Sequence, residues 1–157
     1  MAININELRI NNIVFLKEGN AMKAVCITNI KGDYVDVKYL DENDRFITLS
    51  DISPDQLEPI RLLSSSLQYF GFKEEDSLHF KDGSEYTTFK LVKENIVTTV
   101  VKTDDYHLLR IVNGVKQLDS HVLYLHELQN IINNNNDISI DAFHELSKKY
   151  NIRIYFN

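Results

Sequence analysis

His126 and Glu127 stand side by side in the stretch VLYLHELQNIINNNN, and the triplet HEL returns at 144–146. A zinc-peptidase helix needs a second histidine four residues after the first, so that both imidazoles share one face with the glutamate as base. Asn130 occupies that place, and His121, five residues before His126, falls on another side of any helix that holds both. The second HEL also lacks a partner histidine, so neither triplet reads as a zinc site. Asp104, Asp105 and His107 in DDYH have the inventory of an acid–histidine cluster. Adjacent aspartates before a strand equally suit a hairpin turn, which is the simpler reading. The EED run at 74–76 reads likewise as a solvated turn.

Nucleophile and phosphate motifs are missing. There is no Gly-x-Ser-x-Gly elbow and no Gly-x-x-x-x-Gly-Lys loop, and the five glycines at 19, 32, 71, 83 and 114 lie too far apart to cradle a phosphate. SSS at 64–66 precedes a helical stretch, where capping accounts for it. The single cysteine, Cys26, sits between Val25 and Ile27 and reads as a small core hydrophobe that forms no intrachain disulfide, compatible with a reducing cytoplasm. What remains is a binding surface: Tyr86, Lys90, Tyr106 and Arg110 are assigned to one sheet face, where rings stack on a base and cations meet phosphate or carboxylate. The bland alternative is a solvated outer face whose long stems cover apolar surface.

The elements that must position these residues follow from pattern and composition. With 157 residues and 43% apolar side chains, the chain is long enough for a core as one domain or two small ones. A net charge of −6 disfavours general nucleic-acid binding, which rests on neutralising phosphates. The balance is uneven: residues 1–60 carry six basic and ten acidic side chains, whereas 61–118 carry eight of each, so an anionic ligand fits the middle segment better. The start MAININELRI lacks the features of a secretion signal, and no apolar run reaches the length of a membrane span.

Residues 13–49 read as short strands joined by tight turns at KEGN, KGD and DEND, and the alternation in YVDVKYL sets Val35, Val37 and Tyr39 on one face. Strands this short need closure or cover, so a Src-homology-3-like small β-barrel is expected over residues 1–60. Ser64 or Ser65 is expected to cap a short helix ended by Gly71. SLHF, YTTFKLVK, NIVTTVVK and YHLLRIV then read as a four-stranded antiparallel meander. In YHLLRIV the set His107, Leu109 and Ile111 is taken as the core face, leaving Tyr106, Leu108 and Arg110 for a ligand. Leu125, Leu128 and Ile132 set a helix over 122–133, followed by a low-complexity asparagine tract at 133–136, a further helix in SIDAFHELSKKY and a terminal strand in NIRIYF. The fold class is therefore α+β: the barrel, then over residues 61–157 a meander packed with two or three helices.

ELRINNIVFL, LEPIRLLSSSLQYFGFK and LYLHELQNI occur in an order that resembles a family of small proteins encoded by phages and prophages of Bacteroidetes bacteria. Its members share a Glu-Leu-Arg-x-Gly-Asn-x-Val opening, a Pro-Ile-x-Leu-Thr helix start ending in Gly-Phe, and a His-x-Leu-Gln-Asn helix. The likeness spans about residues 7–131. Asn11 stands where the opening has glycine, and Ser64 and Ser65 stand for the usual threonine. His126, Leu128, Gln129 and Asn130 carry the last motif, with a structural role expected: His126 and Gln129 bonding strand backbone while Leu128 fills the core. The resemblance implies a small accessory protein of the infected bacterial cytoplasm that acts by binding; rings and cations without a reactive group then suit a non-catalytic counter-defence role, sequestering a small anionic, nucleotide-derived immune signal. A module docking on a host or phage protein is the alternative, and an unfamiliar hydrolase a third. No catalytic residue, metal or cofactor is expected, and an edge strand such as NIRIYF is suited to pairing between copies in a homo-oligomer.

Overall fold

The computed structural model describes residues 3–75, 78–79, 85–103, 105–132, 141–142, 144–145 and 154–155. The chain divides into two compact units, Met1–Arg61 with Tyr124–Asn157, and Leu62–Leu123. Each is built on an antiparallel sheet with a short α-helix, so the α+β class holds. No described helix is long and apolar enough to cross a membrane.

In the first unit, β1 (Ile13–Glu18), β2 (Ala21–Lys31), β3 (Tyr34–Leu40) and β4 (Phe46–Ile52) form a meander, and β5 (Leu57–Glu58) returns beside β1 after a 3-10 turn at Pro54–Gln56. The order is β4-β3-β2-β1-β5, with no pairing between β4 and β5, so the described sheet is open. Alternation places Val14, Leu16, Val25, Ile27, Val35 and Val37 in one core, as the spacing in YVDVKYL requires for its two valines. Register shifts at Ile27/Asn29 in β2 and Val35/Val37 in β3 bend the sheet.

The second unit begins with α1 (Ser64–Tyr69). Its N-cap is Leu63, which makes no side-chain capping bond; the serine cap expected from the sequence does not form, and Ser64 Oγ lies 3.2 Å from Tyr106 Oη instead. The helix end does follow expectation. Gly71, at φ +94°, donates to Gln68 C=O, and Phe72 N–H donates to Leu67 C=O, a pair of bonds that closes the last turn with Leu67 and Phe72 both buried. The sheet that follows runs β11-β10-β9-β8-β6, from β6 (Lys73–Glu74), β8 (Glu85–Lys93), β9 (Ile96–Lys102), β10 (Tyr106–Val112) and β11 (Val115–Val122), with β7 (Leu78–His79) also beside β8. β11 has no counterpart in the expected four-stranded meander. The Asn113–Gly114 turn before it has positive φ at both residues, 51° and 80°, the geometry that reverses a two-residue hairpin.

Tyr124 and the helix α2 (Leu125–Ile131) belong to the first unit, not with the meander as a boundary at 60 would have it. The cause is a set of amide bonds. Ile13 N–H donates to Gln129 Oε1 at 2.9 Å, Gln129 Nε2 donates to Asn11 C=O at 3.0 Å, and Asn130 Nδ2 donates to Glu7 C=O at 2.9 Å. The backbone of β12 (Ile154–Tyr155) pairs with Met22 and Ala21 of β2. Residues 141–142 and 144–145 are helical, while the asparagine tract, Asp104, the KDGSE turn before Glu85 and most of SIDAFHELSKKY lie outside the described residues.

Candidate functional site

In the sheet of the second unit, pairing between β8, β9, β10 and β11 decides which side chains share a face. Phe89, Val100 and Leu108 align across three strands and are buried, together with Thr98, Tyr106 and Val122 on the same face. The contact between Ser64 and Tyr106 places α1 against this face. The opposite face is half-exposed and holds no fully buried residue. Thr88, Val101, His107 and His121 form one row across it; Lys90, Thr99, Leu109 and Asp119 form the next; Val92, Val97 and Ile111 a third. Three strand spacings, roughly 14 Å, separate its β8 side from its β11 side.

The four residues chosen from the sequence do not come together. Tyr86 and Lys90 lie on the half-exposed face, whereas Tyr106 and Arg110 lie on the face that holds the buried Phe89, Val100 and Leu108, with Tyr106 only 9% exposed. The assignment of faces in β10 is the reverse of the expected one. His107, Leu109 and Ile111 look outward from the core, and Leu108 is fully buried. Both sets contain leucine, so alternation within the strand could not choose between them; the neighbours Thr98 and Val100 in β9 do.

Charge on the half-exposed face is arranged at its two sides. Lys90 Nζ lies 3.6 Å from Glu75 Oε1, and these two line a groove of about 230 Å³ with Gly71, Lys73, Leu91 and Val92. That is smaller than the roughly 300–1,000 Å³ of most ligand pockets, and no described ring lines it. On the other side the His107 and His121 rings meet edge to face at 5.0 Å, and His107 Nε2 hydrogen-bonds Asp119 Oδ1. The His107 imidazole, reinforced by Lys116 Nζ at 3.5 Å, holds the Asp119 carboxyl below the usual carboxylate range. Val97, Val101, Leu109 and Ile111 occupy the middle.

No family model, curated protein or solved structure matches this chain. Its chemistry is therefore read from its own residues. Asn130, in the place a second zinc ligand would take, also accepts from Asn12 Nδ2 at 2.9 Å through its own Oδ1. His144 of the second HEL triplet lies 2.6 Å from Asp44 Oδ1. Among the described residues, no three His, Cys, Asp or Glu side chains are grouped to hold a metal. His121 enters the sequence reading only as a zinc ligand and Asp119 not at all, because that reading lacks β11; the signal available was the Asn-Gly pair ahead of it.

Proposed function

We propose that the chain is a non-catalytic phage accessory protein that sequesters a small anionic, nucleotide-derived signal of the host's defence, in the bacterial cytoplasm. The observation that carries this reading is the shared face of Tyr86 and Lys90. One supplies a ring for stacking and the other a cation, with Thr88 between them and Lys73 across the adjoining groove. Capture by mass action needs affinity and stoichiometry but no reacting group. We read the first unit as a supporting module of Src-homology-3-like order, on the strength of the sequence β4-β3-β2-β1-β5 and the 3-10 turn before β5.

A second reading, docking on a host or phage protein, draws on the half-exposed Val97, Val101, Leu109 and Ile111, which form an apolar stripe between the charged sides. Incubation of the purified chain with cyclic di- and oligonucleotides, followed by heating to release what was bound, distinguishes the readings. Intact ligand returned after heating is expected. Lys90→Ala should weaken capture about ten- to hundredfold, the equivalent of one lost charge-assisted contact, and adding Tyr86→Ala should weaken it further. Cleaved ligand would mean an enzyme, and no depletion would leave the protein partner.

A further inference from the structure

Among the described residues, His126 combines 1% exposure with two ring nitrogens that have no hydrogen-bond partner. A buried polar group in that condition costs stability unless the site uses it. Its surroundings lie within the first unit. The Tyr124 ring lies nearly parallel to the imidazole, 6.0 Å away at 11°. Glu7, from the 3-10 turn Ile5–Glu7, brings Oε2 to 3.6 Å from Nε2, beyond hydrogen-bond length, and its side chain is 59% exposed. From β1, which packs on α2, residues 13–16 are all buried and apolar. On α2 itself the neighbouring Glu127 is half-buried, and Arg61, bridged to Tyr124, is exposed.

We propose that His126 is a proton-operated latch: the neutral ring lets α2 stay seated on the turn Ile5–Glu7 and the start of β1, and taking up a proton releases it. An imidazolium presents two N–H donors and needs an acceptor for each. The seat supplies one carboxylate, half solvated and too far for a hydrogen bond, and nothing at Nδ1. Burial therefore pushes the ring's pKa below its ordinary 6.5, and Glu7 offsets this only in part. The sign follows from linkage. Once released, the ring titrates near 6.5, while the seated ring stays neutral to lower pH. The latch is fully closed above 6.5 and loses stability as pH falls from there towards the depressed value.

Backbone hydrogen exchange on the full chain tests this at pH 7.5 and 5.5, corrected for intrinsic rates. The amides of Ile13, which donates to Gln129, and Ile132, which donates to Leu128, report the seat. Their protection is expected to fall as pH drops below the ordinary imidazole range, by at most about tenfold per pH unit and by less where Glu7 holds the seated ring's pKa up, while amides of β9 and β10 hold theirs. His126→Gln should abolish the difference, and Glu7→Gln should enlarge it by removing the nearby anion. If His126→Gln does not fold, titration of the wild-type ring by NMR, together with Glu7→Gln, decides. A ring titrating near 6.5 with unchanged protection, or a His126→Gln chain that keeps the pH response, overturns the proposal.

Discussion

Gln129 does for β1 what another strand would do. At the entry to β1 the backbone turns through Asn11, at φ 72°, and leaves the Ile13 N–H and Asn11 C=O to be met by the two ends of one side-chain amide. Asn12, fully buried, adds bonds from its side chain to Arg9 N–H and Asn130 Oδ1. Removing Gln129 by substitution with alanine strands a buried donor, so a loss of about 1–3 kcal/mol is expected. Denaturant unfolding should show a lower midpoint with an unchanged slope; a midpoint within error of wild type would remove the role assigned to the amide. This much was legible in the residues. Leu128 is fully buried and Gln129 bonds the backbone of β1 and Asn11, the core and backbone-bonding roles expected of them. His126 does not bond the strand backbone, because its ring points at a carboxylate and an aromatic neighbour, an outcome that spacing along a helix cannot specify.

Within β10 the adjacent residues Leu108 and Leu109 have the same chemistry and opposite environments. Leu108 is aligned with the buried Val100 and Phe89, whereas Leu109 sits between Thr99 and Asp119 on the half-exposed face. Leu108→Ala is therefore expected to cost about 2–5 kcal/mol, as for other buried leucines, and Leu109→Ala about 1 kcal/mol or less. Thermal or denaturant unfolding of the two variants measures the contrast, and equal losses would mean that the faces are misassigned. The strands themselves were legible because Thr, Val, Ile and Tyr cluster between turn residues. The face was not, since a strand with leucine in both registers has no amphipathic signal and takes its orientation from what lies beside it. For the same reason Tyr106 and Arg110, grouped with Tyr86 and Lys90 by sequence, are separated from them by the thickness of the sheet.

At the scale of the molecule, the chain leaves the first unit at Arg61 and re-enters it at Tyr124, and these two residues face each other across an antiparallel bridge. Leu125 N–H donates to Ile60 C=O at 2.8 Å, while the ends of the second unit meet through Leu62 N–H and Leu123 C=O at 2.9 Å. Residues 62–123 thus form an insertion whose ends lie together, the arrangement in which inserted domains are removable. Deleting them and joining Arg61 to Tyr124 through an Asn-Gly turn should leave a chain that unfolds in one cooperative transition with β-rich circular dichroism. A non-cooperative melt would show that the first unit depends on the insertion. Local rules within the sequence were enough for the α+β class, most strands and turns, the glycine-ended α1 and the core alternation of β3, because propensity, periodicity and turn chemistry act over a few residues. Tertiary structure alone decided that α2 serves the first sheet, that β10 turns Leu108 inward, and that Tyr86 and Lys90 share a face with His107, Asp119 and His121. Each of those outcomes depends on register and on hydrogen bonds between residues far apart in the chain, about which a single strand or helix carries no local signal.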